Sequence, residues 1–357
     1  MSSLATFRVG GKVFQQNRIF SPDMRDRTNT CFIELKESLQ KAGVTLATED
    51  INPIESAELV IDLNAQKSTA AFRPGLIRYL ITTEPPIIHP DNWSSAVHAR
   101  YNKVFTWNDS LIDQQRYFLL RFAHNLGVES DLPCFGDRQL AAMIIGFKAS
   151  NGPGELYSAR FETIRWFLHN HPEEFDLYGV GWPGRLRPPA SQRMERFLSG
   201  PINALLGPFY QKNVCYRGPV ADKISTFRNY RFAFCYENMH SVPGYITEKI
   251  FDAFRAGCVP VYLGPPNTPE HIPADCYIDK WKFPSHEALY KFLKEFPPDD
   301  FRRYQERIRT YLESAQARQF RPSHFAGVLR FHILSDLKPG NDHSDKAEKI
   351  TIVGSRR

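Results

Sequence analysis

The chain has 357 residues, enough for two domains with separate cores, and its apolar share of 42% and charged share of 24% are those of a globular protein. Its formal net charge of +6 is modest, and lysine and arginine are spread along the chain, which argues against a nucleic-acid-binding stripe. No apolar run has the length of a membrane span, and the N-terminus lacks the pattern of a secretory signal. We therefore expect a cytoplasmic protein, or one peripheral to the inner face of a membrane, that does not bind nucleic acid.

The first part of the chain predicts an α/β domain, because short apolar runs alternate with a helical pattern. The polar segment 127–137, interrupted by Pro133 and Gly136, predicts the boundary of this domain. We expect domains at 1–135 and 136–336 and a charged, disordered tail at 337–357. The predicted elements of the first domain are strands at 7–9, 12–14, 57–63 and 103–107 and a helix at 31–42 that ends at Gly43.

Glu84 ends an apolar run that begins at Leu76 and is stopped by Pro85 and Pro86. A strand is predicted here, so Glu84 falls at the carboxyl end, where open α/β sheets bind ligands. The alternative interpretation is a solvated carboxylate beside a turn.

Asn108 and Asp109 follow the strand predicted at 103–107. The favoured interpretation is that they cap a helix that begins at Ser110. Contact with a ligand is the alternative.

The second domain is predicted to begin with a strand at 140–145 and a loop at 146–152 that carries small residues and Lys148, a combination suited to phosphate. Arg160 lies on the helix that follows, where a solvated side chain is the ordinary interpretation. Later elements are a strand at 176–181, the segment 217–228 with Lys223, a strand at 276–279, and helices at 285–296, 299–317 and 322–337. The last helix is expected to cross back to the first domain.

The segment 230–267 predicts a strand, a loop, a helix and a second strand, which together form a βαβ unit with parallel pairing. Asn238, Tyr245, Glu248 and Lys249 fall in the loop and the first helical turn. A helix N-terminus and a lysine favour a phosphate, and a carboxylate can accept two hydrogen bonds from a ribose diol. The alternative is that the two charged residues are only the solvated first turn of a packing helix.

Three elements of this segment resemble the signature of the α1,3/4-fucosyltransferases of glycosyltransferase family ten. They are Tyr-Glu-Asn at 236–238, Tyr-Ile-Thr-Glu-Lys at 245–249 and Val-Pro-Val-Tyr-Leu-Gly at 259–264. The resemblance implies the GT-B fold, in which two Rossmann-like domains face each other across a cleft. It also implies an inverting enzyme of glycan glycosylation that uses GDP-fucose. Animal members are membrane-anchored and disulfide-bonded, so the absence of such features here indicates a bacterial-type, soluble member.

The resemblance assigns roles to the candidate residues. Glu84 falls at the place of the catalytic carboxylate, and Arg160 lies in a second family element, 155–160, whose arginine contacts the donor diphosphate. The donor-binding residues are expected to be Lys148, Arg160, Lys223, Asn238, Tyr245, Glu248 and Lys249. The implied acceptor is N-acetylglucosamine or glucose in lipopolysaccharide or another surface oligosaccharide. Two alternatives remain: a transferase for another nucleotide sugar, and a catalytically silent protein that binds one.

No metal site is predicted. The six cysteines stand singly, without a CxxC pair, and are expected to be reduced and mostly buried. His169 and His171 near a helix end do not form a ligand set, nor do the histidine and aspartates at 342–345. An Asp-x-Asp pair at a strand end, which would hold a divalent ion on a diphosphate, is also lacking. No oligomeric state is predicted.

Overall fold

The computed structural model describes residues 3–24, 28–66, 73–186 and 211–337. The tail predicted to be disordered lies outside these residues, except for Leu337, which ends the last helix. No described helix combines the length and the apolar character that crossing a membrane requires.

The first domain is built on a sheet of six parallel strands in the order β2-β1-β3-β4-β5-β6. The order reverses between β1 and β3, which places a ligand crevice at their carboxyl ends. The central strands are apolar and buried on both faces, as parallel sheets require. The strands are β1 (Ser3–Val9), β2 (Val44–Thr48), β3 (Leu59–Leu63), β4 (Ile77–Ile81), β5 (Lys103–Thr106) and β6 (Tyr117–Leu119).

The second domain has its own parallel six-stranded sheet, in the order β11-β8-β7-β12-β13-β14. This is the doubly wound order of Rossmann folds, and the order reverses between β7 and β12. The strands are β7 (Gln139–Ile144), β8 (Phe175–Tyr178), β11 (Tyr216–Gly218), β12 (Tyr230–Tyr236), β13 (Val259–Leu263) and β14 (Ile278–Asp279). The short strands β9 (Arg185–Leu186) and β10 (Gln211–Lys212) form a separate antiparallel pair.

Helices cover both sheets. They are α1 (Thr30–Lys41), α2 (Ser95–His98), α3 (Tyr157–Asn170), α4 (Lys223–Phe227), α5 (Glu248–Arg255), α6 (Thr268–His271), α7 (His286–Lys294), α8 (Pro298–Glu313) and α9 (Pro322–Leu337). The last of them packs on the first domain, where Phe325, Leu329 and Ile333 join the core formed by Phe7 and Leu35. The chain therefore crosses between the domains twice, once before β7 and once before α9.

The βαβ unit predicted at 230–267 is present as β12, α5 and β13, with parallel pairing that sets Phe232 opposite Val259. Gly257 ends the helix with φ 66°, in the left-handed region that favours glycine. A Cβ atom at this position would lie 2.2 Å from Leu132 Cδ1, so space also requires a glycine.

Two local predictions are wrong. Lys12–Phe14 is a 3-10 turn and not a strand, because the run is short, follows Gly11 at φ 88° and leaves Val13 64% exposed. No α-helix begins at Ser110: a 3-10 turn covers Asp109–Leu111. The Asp113 carboxylate then accepts hydrogen bonds from the backbone N–H groups of residues 115–117, which turns the chain into β6.

The two domains face each other through the loops at the carboxyl ends of their strands. Trp107, which follows β5, packs with Met239 and Tyr245, which follow β12. Arg121 of the first domain donates a hydrogen bond to the Gly244 carbonyl of the second, over 3.3 Å. The predicted fold class, two facing Rossmann-like domains with a cleft between them, is confirmed.

Candidate active site

Glu84 lies three residues beyond the end of β4, with its backbone held in place. Asn64, at φ 58°, accepts hydrogen bonds from the backbone N–H groups of Thr83 (2.8 Å) and Glu84 (3.1 Å), and Asn92 donates to the same oxygen (2.7 Å). The Glu84 carbonyl accepts from the indole N–H of Trp93 (3.1 Å). Within the described residues, the carboxylate itself makes no hydrogen bond, so it remains available to a substrate.

The electrostatic surroundings of Glu84 come from the second domain. Burial raises the pKa of Glu84 above its usual value, whereas the charges of Lys148 and Lys249 act to lower it and that of Glu248 acts to raise it further. All three of these residues belong to the opposite side of the cleft. Lys148 is exposed on the loop after β7, where phosphate was expected. A partly buried carboxylate with a raised pKa has the properties of a general base.

Trp107 links Glu84 to the second domain. Its indole N–H donates to the carbonyl of Thr83 over 3.2 Å, and its ring lies 4.7 Å from the ring of Tyr245, measured between centroids. The Tyr245 hydroxyl accepts a hydrogen bond from Asn238 (3.1 Å). The backbone next to Glu84 is therefore held against the loop that follows β12.

Arg160 is a buried cation on the inner side of α3, so the interpretation of a solvated arginine is wrong. Its Nη2 atom donates to the Tyr236 carbonyl (2.7 Å) and to Asn238 Oδ1 (2.9 Å). Its Nε atom has no hydrogen-bond partner in the described parts of the chain. No carboxylate there forms an ion pair with the Arg160 guanidinium. A buried guanidinium that bonds only neutral acceptors can still receive an anion.

Glu237 was not predicted as a site residue, yet it organises the start of α5. It is fully buried and accepts hydrogen bonds from Thr247 N (2.8 Å), Thr247 Oγ1 (2.7 Å), Lys249 Nζ (3.1 Å) and the Tyr262 hydroxyl (3.2 Å). Four donors compensate for burying the charge. The sequence signal was an acidic residue directly after a mostly apolar strand.

Glu248 and Lys249 form the first turn of α5. The side chain of Glu248 is 40% exposed and that of Lys249 is 17% exposed. Burial acts to raise the pKa of Glu248, but the charges of Lys249, Lys223 and His124 outweigh it and hold the pKa below the usual value. Glu248 is therefore an ionised acceptor at neutral pH, as required for binding a diol.

Lys223 begins α4 and donates to Asp252 on α5 over 3.1 Å. Its charge also acts on Glu248, which places it near the other candidates. Lys223 and Glu248 line a cavity of 1140 Å³. The cavity extends between α5 and the segment that connects the two domains, from which His124 also lines it. The cavity has ample room for a nucleoside.

Asn108 and Asp109 have different roles. The Asn108 side chain accepts a hydrogen bond from Ser110 N (3.0 Å), so it caps a turn, although not the turn of an α-helix. Asp109 instead contacts the second domain, where Asn267 donates to its carboxylate over 2.9 Å. It also forms an ion pair with Arg121. This cross-domain pairing was not foreseen, because the partners are remote in sequence.

Within the described ranges, no three side chains of histidine, cysteine, aspartate or glutamate come together as a metal site. His169 and His171 lie at the end of α3, and residues 342–345 fall outside the described part. None of the six cysteines forms a disulfide bond, and Cys134 alone among them is exposed, so the cysteines are mostly buried as predicted.

Comparison with known families finds a match within the second domain. Residues 207–323 match the model described as glycosyltransferase family 10 (fucosyltransferase) C-term. Over 75 residues the chain is 45% identical to the mouse (Mus musculus) 4-galactosyl-N-acetylglucosaminide 3-alpha-L-fucosyltransferase 9, covering 20% of each protein. Over 71 residues it is 37% identical to an Arabidopsis thaliana alpha-(1,4)-fucosyltransferase, covering 20% of this chain and 18% of that protein. The matched region thus spans about a fifth of the length of these curated relatives.

Similarity to solved structures extends over nearly the whole chain. An alpha1,3-fucosyltransferase with GDP matches with a TM-score of 0.52 and 13% identity, over 95% of this chain and 91% of that one. An alpha-glucosyltransferase in complex with UDP and DNA matches with a TM-score of 0.55 and 10% identity, over 94% of this chain and all of that one. At such low identity, these matches establish a shared fold.

Proposed function

We propose that this chain, which carries in residues 207–323 the C-terminal domain of the family 10 fucosyltransferases, transfers L-fucose from GDP-fucose to a hydroxyl group of an acceptor glycan. One observation carries the proposal: the unbonded carboxylate of Glu84 lies within the electrostatic reach of Lys148 and Lys249 across the cleft. A base from one domain thus faces the cations of the other. The relatives named above, which are fucosyltransferases, support fucose as the transferred sugar.

The proposed donor site is formed at the carboxyl ends of β7 and β12. Arg160 and Lys249 bind the diphosphate, Asn238 and Tyr245 hold Arg160 and the loop in place, and Glu248 accepts hydrogen bonds from the ribose. Lys148 and Lys223 add positive charge on either side of the proposed diphosphate site. The nucleoside occupies the part of the 1140 Å³ cavity next to Glu248.

The proposed reaction is a single displacement with inversion. Glu84 accepts the proton of the acceptor hydroxyl while that oxygen forms a bond to C1 of fucose, and the bond between C1 and the diphosphate oxygen breaks. The products are an α-linked fucoside, GDP and a protonated Glu84. General base catalysis contributes about a hundred- to ten-thousand-fold to the rate, and the remainder comes from positioning and from stabilising the leaving diphosphate.

The acceptor is proposed to be N-acetylglucosamine or glucose within a surface oligosaccharide such as lipopolysaccharide. The loops that follow β4 and β5 of the first domain supply its binding surface. The name of the mouse relative, which specifies a galactosyl-N-acetylglucosaminide, supports an acceptor of this kind.

A donor and acceptor screen of the purified full-length protein tests the proposal. Initial rates are measured with GDP-fucose, GDP-mannose and several UDP-sugars, each with N-acetyllactosamine and lactose as acceptors. Transfer of fucose from GDP-fucose to an acceptor, with formation of an α-linkage, is expected. Transfer from another donor would favour the alternative of a different nucleotide sugar. Tight binding of GDP-fucose without hydrolysis or transfer across a wider set of acceptor glycans would favour a silent binding protein.

A further inference from the structure

Tyr157, the first residue of α3, carries a buried hydroxyl that the fold does not use. The residue is 2% exposed, and its hydroxyl oxygen has no hydrogen-bond partner among the described residues. A buried hydroxyl without a partner lowers stability, and it can still bond a ligand.

Other buried tyrosines of the same domain show the ordinary arrangement. The hydroxyl of Tyr236 bonds Thr163 over 3.1 Å, and that of Tyr262 donates to Glu237 over 3.2 Å. In these residues the protein supplies the partner. The hydroxyl of Tyr157, in contrast, has no partner among the described residues and is free to bond a ligand.

The groups around Tyr157 belong to the proposed donor site. The guanidinium carbon of Arg160 lies 4.6 Å from the centroid of the Tyr157 ring. Burial raises the pKa of Tyr157, the charges of Arg160 and Lys249 act to lower it, and those of Glu84 and Glu155 act to raise it. The hydroxyl thus lies among the base and the two cations assigned to the diphosphate, and it is protonated at neutral pH.

We propose that the Tyr157 hydroxyl is an additional donor-binding group, which donates a hydrogen bond to an anionic oxygen of the nucleotide diphosphate. The inference rests on the proposed function, because the ligand it names is the donor. A phenol adds a hydrogen bond without adding charge, and an anionic acceptor makes that bond a strong one. The ring, meanwhile, supports the guanidinium of Arg160 on its face.

Substitution by phenylalanine tests this assignment, because it removes only the hydroxyl. Tyr311 on α8 provides a matched control: it is 3% exposed, its hydroxyl also lacks a partner among the described residues, and its ring packs against Phe254 on α5. The parent, Tyr157→Phe and Tyr311→Phe are compared as full-length proteins. The melting temperature is measured without ligand, and GDP affinity is measured by calorimetric titration.

Neither substitution is expected to lower the melting temperature of the ligand-free protein, since neither removes a hydrogen bond. Tyr157→Phe should weaken GDP binding about ten- to a hundredfold, whereas Tyr311→Phe should leave it unchanged. GDP affinity equal to that of the parent in Tyr157→Phe would overturn the inference and leave the proposed function standing. A parent protein that does not bind GDP would overturn both.

Discussion

The carboxylate of Asp109 in the first domain lies 2.9 Å from the Nε2 atom of His271 in the second domain, 162 residues further along the chain. Burial acts to raise the pKa of Asp109, but hydrogen bonds with His271 and Asn267 and the charge of Arg121 outweigh it and lower the pKa to about 2. The pair joins the two sides of the cleft.

Asp109→Asn is expected to lower the free energy of unfolding by up to about 2 kcal/mol at neutral pH, as the shift of its pKa from 3.8 to about 2 implies. Because the folded pKa is depressed, this stabilisation is complete above about pH 4 and is lost as the pH falls towards 2. Denaturant titrations of parent and variant at pH 7, 4 and 2.5 measure it, with the exposed Asp91→Asn as control. A difference that does not change with pH would contradict the assignment.

Glu84→Gln is expected to reduce turnover at least about a hundredfold while GDP affinity and the melting temperature stay close to those of the parent. The backbone of residue 84 is held by Asn64 and Trp93 in either case, and glutamine cannot accept the proton. Rate, affinity and melting temperature should be measured on one preparation. Near-parental turnover in the folded variant would exclude Glu84 and leave Asp109 as the candidate, since Asp62 is fully buried and paired with Arg8.

Lys148→Met should move the acid limb of the pH–rate profile to higher pH. The base acts when ionised, so the rate rises through the pKa of Glu84, which burial has raised and Lys148 partly lowers. Removing this positive charge raises that pKa further, by up to about one unit. Lys291→Met, on the exposed face of α7, is the control. A limb that stays in place or moves to lower pH would show that Lys148 does not act on the base.

Arg160→Ala and Lys249→Ala should each weaken GDP binding by about 1–3 kcal/mol, because each removes a cation from the proposed diphosphate site. Their effects on stability should differ. Lys249→Ala removes the ion-pair partner of the fully buried Glu237 and should lower the melting temperature more, whereas Arg160 pairs with no described carboxylate. Calorimetry well below the melting temperature of each variant measures the affinity. Parental affinity in both folded variants would refute the site.

Transfer activity is expected to persist in EDTA, since Arg160, Lys249 and Lys148 supply the positive charge that a divalent ion would otherwise provide. The assay compares initial rates in chelator, in buffer and after addition of magnesium or manganese. A complete loss of activity that either metal restores would show that the cations of the protein are insufficient.

The sequence was most informative where structure follows from local patterns. The strand, helix and strand between Tyr230 and Leu263 appear where the periodicity of apolar residues and Gly257 place them, because buried faces and a left-handed turn impose constraints on neighbouring residues. The prediction for Lys12–Phe14 was wrong because it used local character alone: Val13 and Phe14 are typical strand residues, but strand formation depends on a partner strand that lies elsewhere in the sequence.

By itself, the sequence determined the two-domain α/β architecture and the local placement of Glu84, Asn238, Glu248 and Lys249 at strand and helix ends. Only the tertiary structure decided how the charged side chains of the site are paired. It buried Arg160 against Tyr236, surrounded Glu237 with four hydrogen-bond donors and joined Asp109 to His271. The physical reason is that periodicity records which residues are buried along one element. The energy of a buried charge, in contrast, depends on partners that folding brings from distant parts of the chain.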